Sequence, residues 1–426
     1  MATTTQLRRA VASSFLGSVI EYYDFLLYAT ASAVVFNKVF FSSLDPLVGT
    51  IASFGTFATG YLARPLGGVL FGHFGDLLGR KKMLVLTMSL MGVASFLIGL
   101  LPTYAAAGWL APAGLVLLRV VQGISVGGEW GGAVLMSAEH ATSRRGLWAS
   151  FTNAGAPCGM VLSTAALTGT AALVGEQAFL SWGWRVPFLL SLVLLAVGLF
   201  VRMKVEETPV FSAERKRTSA PLVDVLRNHP RTLLLGIGVG LSAFVAQSTL
   251  TTFVLAYGVQ VGNSRQSILN ALTLSSALAV VGIIAWSAAS DRLGRRPVVL
   301  GGAVVMAAFG FVLFPLVDNG YVVIALVLGQ AVIHPMMYGP LAALYSELFN
   351  TGSRYTGASL GYQLAGLGAG LAPLLFAQVQ ASAGTRAIPF ILAAFCVLTV
   401  VCTVALHETS RTDLTGDRTA AGQLAG

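Results

Sequence analysis

Charge is what this chain has least of. Its 426 residues include 26 Lys and Arg and 17 Asp and Glu, so 10% are charged while 55% are hydrophobic. A soluble protein of this length carries about a quarter charged residues. So few charges cannot cover a soluble surface of this size, and lipid must be the solvent for most of it. Cysteine is also scarce. Cys158, Cys396 and Cys402 lie in apolar runs without ligand spacing, which argues against a metal site and reads as small packing residues. The five histidines, His73, His140, His229, His334 and His407, are scattered, and no nucleophile–base pair is visible, so an enzyme is not expected. No stretch is long enough for the extra soluble domain of a sensor. A net charge of +9 raises nucleic acid as a partner, but its distribution follows membrane topology instead.

What the chain has is long apolar runs. A helix needs about 20 mostly apolar residues to cross a bilayer. Twelve segments qualify, near 10–36, 47–74, 83–101, 111–136, 146–173, 184–203, 232–258, 266–289, 298–317, 320–345, 355–380 and 386–406. The first begins after Arg8 and Arg9 and outruns a signal-peptide core of about 7–15 residues, so it reads as a span. Of the 26 Lys and Arg, 20 fall in segments assigned to one side, from Arg8 to Arg418. Lys38, Arg265 and Arg386 fall on the other side, and Arg64, Arg119 and Arg185 within spans. The positive-inside rule then places both termini in the cytoplasm. The polar stretch 204–231, with Glu214-Arg215-Lys216-Arg217 and Pro221, divides the spans six and six. The expected organisation is a bundle over 1–203, a cytoplasmic linker over 204–231, a bundle over 232–410 and a tail over 411–426.

The halves repeat. Gly75-Asp76-Leu77-Leu78-Gly79-Arg80-Lys81-Lys82 follows the second span, and Ser290-Asp291-Arg292-Leu293-Gly294-Arg295-Arg296-Pro297 follows the eighth, offset by 215 residues. Ser137-Ala138-Glu139 with Arg145, after the fourth span, is echoed by Ser346-Glu347 with Arg354 after the tenth. Such duplication fits parallel six-helix repeats with a substrate site between them. In each Asp-x-x-Gly-Arg turn, glycine permits the tight turn and the Asp is placed to cap a helix and pair with Arg. Asp76, Arg80, Glu139, Arg145, Asp291, Arg295, Glu347 and Arg354 are therefore the candidate cytoplasmic gate.

Charges at membrane depth cost about 2.5–3.5 kcal/mol each on insertion scales and mark function. Glu21, Asp24, Arg64, Arg119 and Glu129 are such charges, all in the N-terminal half, so ion coupling is expected there. Glu21, Asp24 and Tyr28 share a helical face by their i, i+3, i+7 spacing. Arg119 approaches Asp24 if spans one and four pack together. Burial favours the protonated acid and a nearby Arg the ionised one, so moving the Arg would load and empty it. Asp24, Arg119, Glu21 and Glu129 are the candidate coupling residues. Arg64 has three readings: an anionic-substrate anchor, or a partner of Glu21 or of Glu129. Trp130 is either packing or a stacking platform, and His334 is either a hydrogen-bonded packing residue or part of the cavity. Tyr28, Gln122, Asn153, Tyr257, Tyr338 and Gln363 complete the candidate cavity.

The Asp76–Arg80 loop resembles the most characteristic signature of the major facilitator superfamily, and the resemblance covers the whole chain. Glu21-Tyr22-Tyr23-Asp24-Phe25, Arg64-Pro65-Leu66-Gly67-Gly68 and Arg119-Val120-Val121-Gln122-Gly123 through Gly127-Gly128-Glu129 resemble the metabolite:proton symporter family, which includes carriers for shikimate, 2-oxoglutarate, citrate and proline/betaine. Phe71-Gly72-His73-Phe74-Gly75-Asp76 and Leu180-Ser181-Trp182-Gly183-Trp184-Arg185 are most similar to its shikimate-carrying branch. The resemblance implies an all-α, twelve-helix carrier of the bacterial inner membrane, rocking between states as a monomer. It implies import of a carboxylate-bearing metabolite, with the proton as coupling ion and no other cofactor. Asp24 and Arg119 match the coupling acid and Arg of related proton-coupled sugar carriers. Glu139, Arg145, Glu347, Arg354 and Glu408 match their cytoplasmic charge network. One departure is Asn153-Ala154-Gly155-Ala156-Pro157-Cys158-Gly159, which partly resembles an antiporter signature and keeps an exporter as the alternative.

Overall fold

Helices form wherever the apolar runs lie. The structure, a computed structural model, describes residues 4–44, 46–141, 143–205, 207, 220–412 and 414. The Glu214–Arg217 cluster, with the rest of 208–219 and most of the tail, lies outside the described residues. The main helices are α1 (Thr4–Ala31), α2 (Pro46–Leu78), α3 (Arg80–Leu100), α4 (Leu110–His140) and α5 (Arg145–Val174). They are followed by α6 (Phe179–Met203), the short α7 (Pro221–Asn228), α8 (Pro230–Gln260) and α9 (Arg265–Leu293). The last four are α10 (Arg295–Asp318), α11 (Val322–Leu348), α12 (Arg354–Ala383) and α13 (Ile388–Ala405). Among the described residues, 10 helices are long and apolar enough to cross a membrane. The two remaining long helices, α1 and α2, have the length at 28 and 33 residues. Glu21, Asp24 and three tyrosines dilute the hydropathy of α1, and glycines and threonines that of α2.

Packing repeats between the halves. In the first, α1 lies on α5, α2 on α4, and α3 on α4 and α6. In the second, α8 lies on α12 and α13, and α10 on α13. The seam between the halves is built by two equivalent crossings, α5 with α9 and α2 with α12. Both ends of each Asp-x-x-Gly-Arg turn are helical, and the glycine between them carries the reversal. Gly79 has φ 110° and Gly294 φ 96°, a region that a side chain disfavours. Segments of π-helix interrupt or flank four of the long helices, at Ser32–Phe36, Phe179–Gly183, Thr249–Phe253 and Val327–Ile333.

Small residues set the helix spacing, as expected where lipid supplies no hydrophobic drive between helices. A Cβ built on Gly67 would collide with the carbonyl of Ile124, and one on Gly127 with the carbonyl of Arg64. The backbones of α2 and α4 thus touch directly, which brings Arg64 and Glu129 into the same interior. We predict that Gly67→Val forces these helices apart and costs about 1–3 kcal/mol or more, measured as a lower melting temperature of the detergent-purified protein. An unchanged melting temperature would show that this approach is not tight.

Candidate functional site

The end of the bundle bearing the two Asp turns is a symmetric charge network. Asp76 accepts hydrogen bonds from the backbone N–H groups of Tyr355 (3.1 Å) and Thr356 (2.9 Å) and from the Thr356 hydroxyl (2.9 Å). Asp291 accepts from the backbone N–H groups of Gly146 (2.8 Å) and Leu147 (2.9 Å). Each carboxylate therefore caps the first turn of a helix in the opposite half, α12 or α5. The first N–H groups of a helix have no partner within it, and its N-terminus favours negative charge. The arginines repeat the pattern. Arg80 lies 3.5 Å from both Asp76 and Glu139, while Arg354 of the other half lies 3.0 Å from Glu139. Arg295 lies 2.9 Å from Asp291 and 3.2 Å from Glu347, and Arg145 of the other half lies 3.9 Å from Glu347.

A third pair completes the symmetry. Glu207 accepts from the backbone N–H of Lys81 (3.2 Å), and Glu408 from those of Arg295 (2.9 Å) and Arg296 (3.1 Å). Burial pushes the Glu408 carboxyl up, but the N–H groups of Arg295, Ser410 and Arg296 outweigh this and hold it below the usual carboxylate value. All eight residues expected at a gate are thus brought into two matching clusters, each with residues from both halves.

The interior of the N-terminal half corrects two expectations. Asp24 and Arg119 are both fully buried, yet they do not form a direct ion pair. One Asp24 oxygen accepts from the Ser191 hydroxyl at 2.5 Å, and the Ser95 hydroxyl also faces the carboxylate. Gln122 donates to Ser95 (2.7 Å) and accepts from Arg119 (3.1 Å). Ser95 and Gln122 therefore lie between the acid and the arginine. Arg119 has its guanidinium carbon over the rings of Phe25 (4.0 Å), Tyr28 (4.2 Å) and Phe57 (5.0 Å), and Nε and one terminal nitrogen have no hydrogen-bond partners. Such stacking partly offsets the cost of a buried guanidinium.

Glu129 does not open into a crevice. It is paired with Arg202 and accepts from Thr87 at 2.7 Å, so it belongs to a closed interior ion pair. Arg202 sits at the end of α6, and its side chain turns inward, 3% exposed. Glu21 is also buried, with both carboxylate oxygens unpartnered, between that pair and Arg64.

The seam at mid-depth is aromatic. Trp130 stacks on Tyr362 with centroids 3.4 Å apart, and its indole N–H donates to Asn153 at 2.8 Å. Asn153 in turn donates to the carbonyl of Tyr338 at 2.9 Å. The Tyr338 and Tyr362 hydroxyls are 2.8 Å apart, with the Tyr22 hydroxyl 3.4 Å from that of Tyr362. His334 stacks on Tyr338 and approaches the carbonyl of Ala243 at 3.2 Å. Arg64 donates to Gln363 (2.9 Å), which donates to the carbonyl of Gly127 (3.1 Å). The second terminal nitrogen of Arg64 is buried without a hydrogen-bond partner, beside Tyr61 and Phe25.

The structure thus brings together Arg64, Trp130, Asn153, His334, Tyr338 and Gln363 where the halves meet. Tyr28, which donates to Thr56 at 2.6 Å, and Gln122 lie instead inside the N-terminal half with Arg119. Tyr257 is elsewhere, donating to Asp318 at the end of α10. Sequence reasoning missed Ser95, Ser191, Arg202, Glu207 and Tyr362. The i, i+7 placement of Tyr355 and Tyr362 on α12, beside Gln363, was the available signal for the last of these.

Comparison with known proteins agrees with this architecture. Residues 14–373 and 261–424 match the Major Facilitator Superfamily. The Shikimate transporter of Escherichia coli K12 is 37% identical over 96% of both chains. The Proline/betaine transporter of Salmonella typhimurium LT2 is 33% identical over 98% of this chain and 87% of its own. The solved proton:xylose symporter XylE, bound to 6-bromo-6-deoxy-D-glucose, shares the fold with a TM-score of 0.79 at 17% identity, over 97% of this chain and 98% of its own. The chain belongs to the Major Facilitator Superfamily. It is a multi-pass membrane transporter of metabolites and not an enzyme.

Proposed function

We propose that this transporter is a proton-coupled symporter that imports a small carboxylate-bearing metabolite by alternating access. In this reading α1 and α2 also span the bilayer, giving twelve spans in two six-helix bundles over 1–203 and 232–410. Both termini are cytoplasmic, the membrane is the bacterial inner membrane, and the carrier works as a monomer with the proton as coupling ion. The two Asp turns are the cytoplasmic gate, closed in this conformation.

One observation carries the coupling assignment. Asp24 is buried at mid-span with one hydrogen-bond donor, Ser191, and in this reading Ser95 and Gln122 form the relay that joins it to Arg119. A carboxylate held this way is poorly compensated when ionised, whereas a protonated acid satisfies the site. Arg119, with free donor capacity, is placed to stabilise the ionised form when the helices shift. The pair Glu129–Arg202 is already closed and serves as structure.

The substrate site is the aromatic seam. Arg64 offers a free guanidinium face to a carboxylate, and Trp130, Tyr362 and Tyr338 offer rings and hydroxyls. Shikimate, proline and betaine, the substrates named for the relatives, all carry a carboxylate. In the present conformation Gln363 holds Arg64 and Trp130 lies on Tyr362, so substrate entry must part these contacts across the seam. The alternative, a proton-driven exporter, rests on α5, where Gly155 and Gly159 press against α1 around Pro157.

The test is uptake of radiolabelled shikimate, other carboxylates and betaines into proteoliposomes, with and without an inward proton gradient. We predict gradient-dependent accumulation of one of them, and gradient-driven loss from preloaded vesicles would favour the exporter. With that substrate, Asp24→Asn should abolish gradient-driven accumulation but retain exchange of labelled for unlabelled substrate. Pronounced pH-dependent accumulation by the variant would refute the assignment. Gln122→Leu keeps both charges but cuts the relay. It should lower accumulation on the order of tenfold, the scale of a lost hydrogen bond to a charged group, and flatten its pH profile. A wild-type profile would show that the relay is only packing.

A further inference from the structure

Beside the Asp291 junction the charged end contains a cleft, part of whose lining neither coupling nor gating uses. It has a volume of ≈ 580 Å³ and lies between the start of α5, the end of α9 and the segment after α13. Its lining includes Arg144, Arg145, Arg292, Arg295 and Arg411, with Asp291 the sole acid among the described lining residues. That acid is fully engaged by Gly146, Leu147 and Arg295. Arg145 and Arg295 are engaged as well, Arg145 by Glu347 and the Thr412 carbonyl, Arg295 by Glu347, Asp291 and Ser290. What remains is three exposed arginines from three separate segments around one concavity, Arg144, Arg292 and Arg411. Topology alone requires cations on this face, but it does not require them to converge. Arg144 is also the one non-glycine described residue with positive φ, at 51°, the kind of outlier that collects at functional positions.

We propose that this cleft binds a phosphate-bearing anion, either the headgroup of an anionic phospholipid or free phosphate. Guanidinium groups match phosphate oxygens in a bidentate geometry, and the one acid in the described lining is neutralised by its own partners. Basic recesses between membrane helices take lipid headgroups for the same reason. A ligand here contacts Arg144 of one half, Arg292 of the other and Arg411 of the C-terminal segment at once. It therefore favours the arrangement in which the Asp291 junction is closed.

The experiment is a thermal-melting titration of the full chain, purified in a neutral detergent. The probes are inorganic phosphate, dihexanoyl phosphatidylglycerol and, as the zwitterionic control, dihexanoyl phosphatidylcholine. A saturable rise in melting temperature with phosphate identifies a free-anion site, and a rise only with phosphatidylglycerol identifies a lipid headgroup. In either case the combined Arg144→Gln, Arg292→Gln and Arg411→Gln variant should raise the half-saturating concentration about tenfold or more. A variant carrying Arg227→Gln and Arg231→Gln, at exposed arginines outside the cleft, should leave it unchanged. The proposal fails if no anion gives a saturable rise, if phosphatidylcholine reproduces it, or if the triple variant retains it.

Discussion

Two carboxylates tie the halves of this molecule together, and each does so by completing a helix that is not its own. Asp76 supplies the missing acceptors for the first turn of α12, and Asp291 for the first turn of α5. A carboxylate accepting backbone N–H bonds at a helix N-terminus gains both the charge-assisted bonds and the helix dipole. Because α5 and α12 each begin at the seam, the cap joins one half to the other. The remaining features support that placement. Gly79 and Gly294 make the turns that present the acids, and Arg80 and Arg295 stand one helical turn further on to neutralise them. Glu139 and Glu347 then receive arginines from both halves. Such bonds are strong in place, yet water can replace them at the membrane surface, which is what a reversible junction requires.

Inside the bilayer the same electrostatic rule separates structure from work. Where the acid and base satisfy one another, as in Glu129 with Arg202, the charges hold helices together. Asp24, Arg119, Glu21 and Arg64 have buried polar atoms without partners and no direct ion pair, and the proposed function assigns the proton and the anion to them. A buried group lacking partners is costly in one state and must gain in another. In the proposed reading, that imbalance is what couples proton to substrate.

Much of the scheme was legible in the sequence because its key elements are local. The turn motifs carry Asp and Arg at i, i+4 around a glycine, and their duplication fixes which loops correspond. Long apolar runs located the helices, and rare intramembrane charges located Asp24, Arg64 and Arg119. What was not legible depended on contacts distant in sequence. Arg202 counts as a topology charge by position, and only the packing of α6 against α3 turns it toward Glu129, 73 residues away. Ser95 and Ser191 look like ordinary small residues of apolar helices until Asp24 is placed between them. The direct Asp24–Arg119 pair expected from helix packing does not form, and Arg119 instead bonds to Gln122 and lies over the rings of Phe25 and Tyr28. Tyr257 shared the composition of a cavity residue but lies too far along α8. The π-helical segments leave no composition signal at all.

The central claim is that the reciprocal Asp caps hold the charged end closed. It is tested most directly by pulsed electron spin resonance between labels at Lys82 and Leu293, exposed residues of opposite halves, in protein lacking Cys158, Cys396 and Cys402. With both caps intact, the account predicts a narrow distribution of distances. Asp76→Asn with Asp291→Asn should broaden that distribution toward longer distances, each single substitution doing so in part. An unchanged distribution in the double variant would contradict the account.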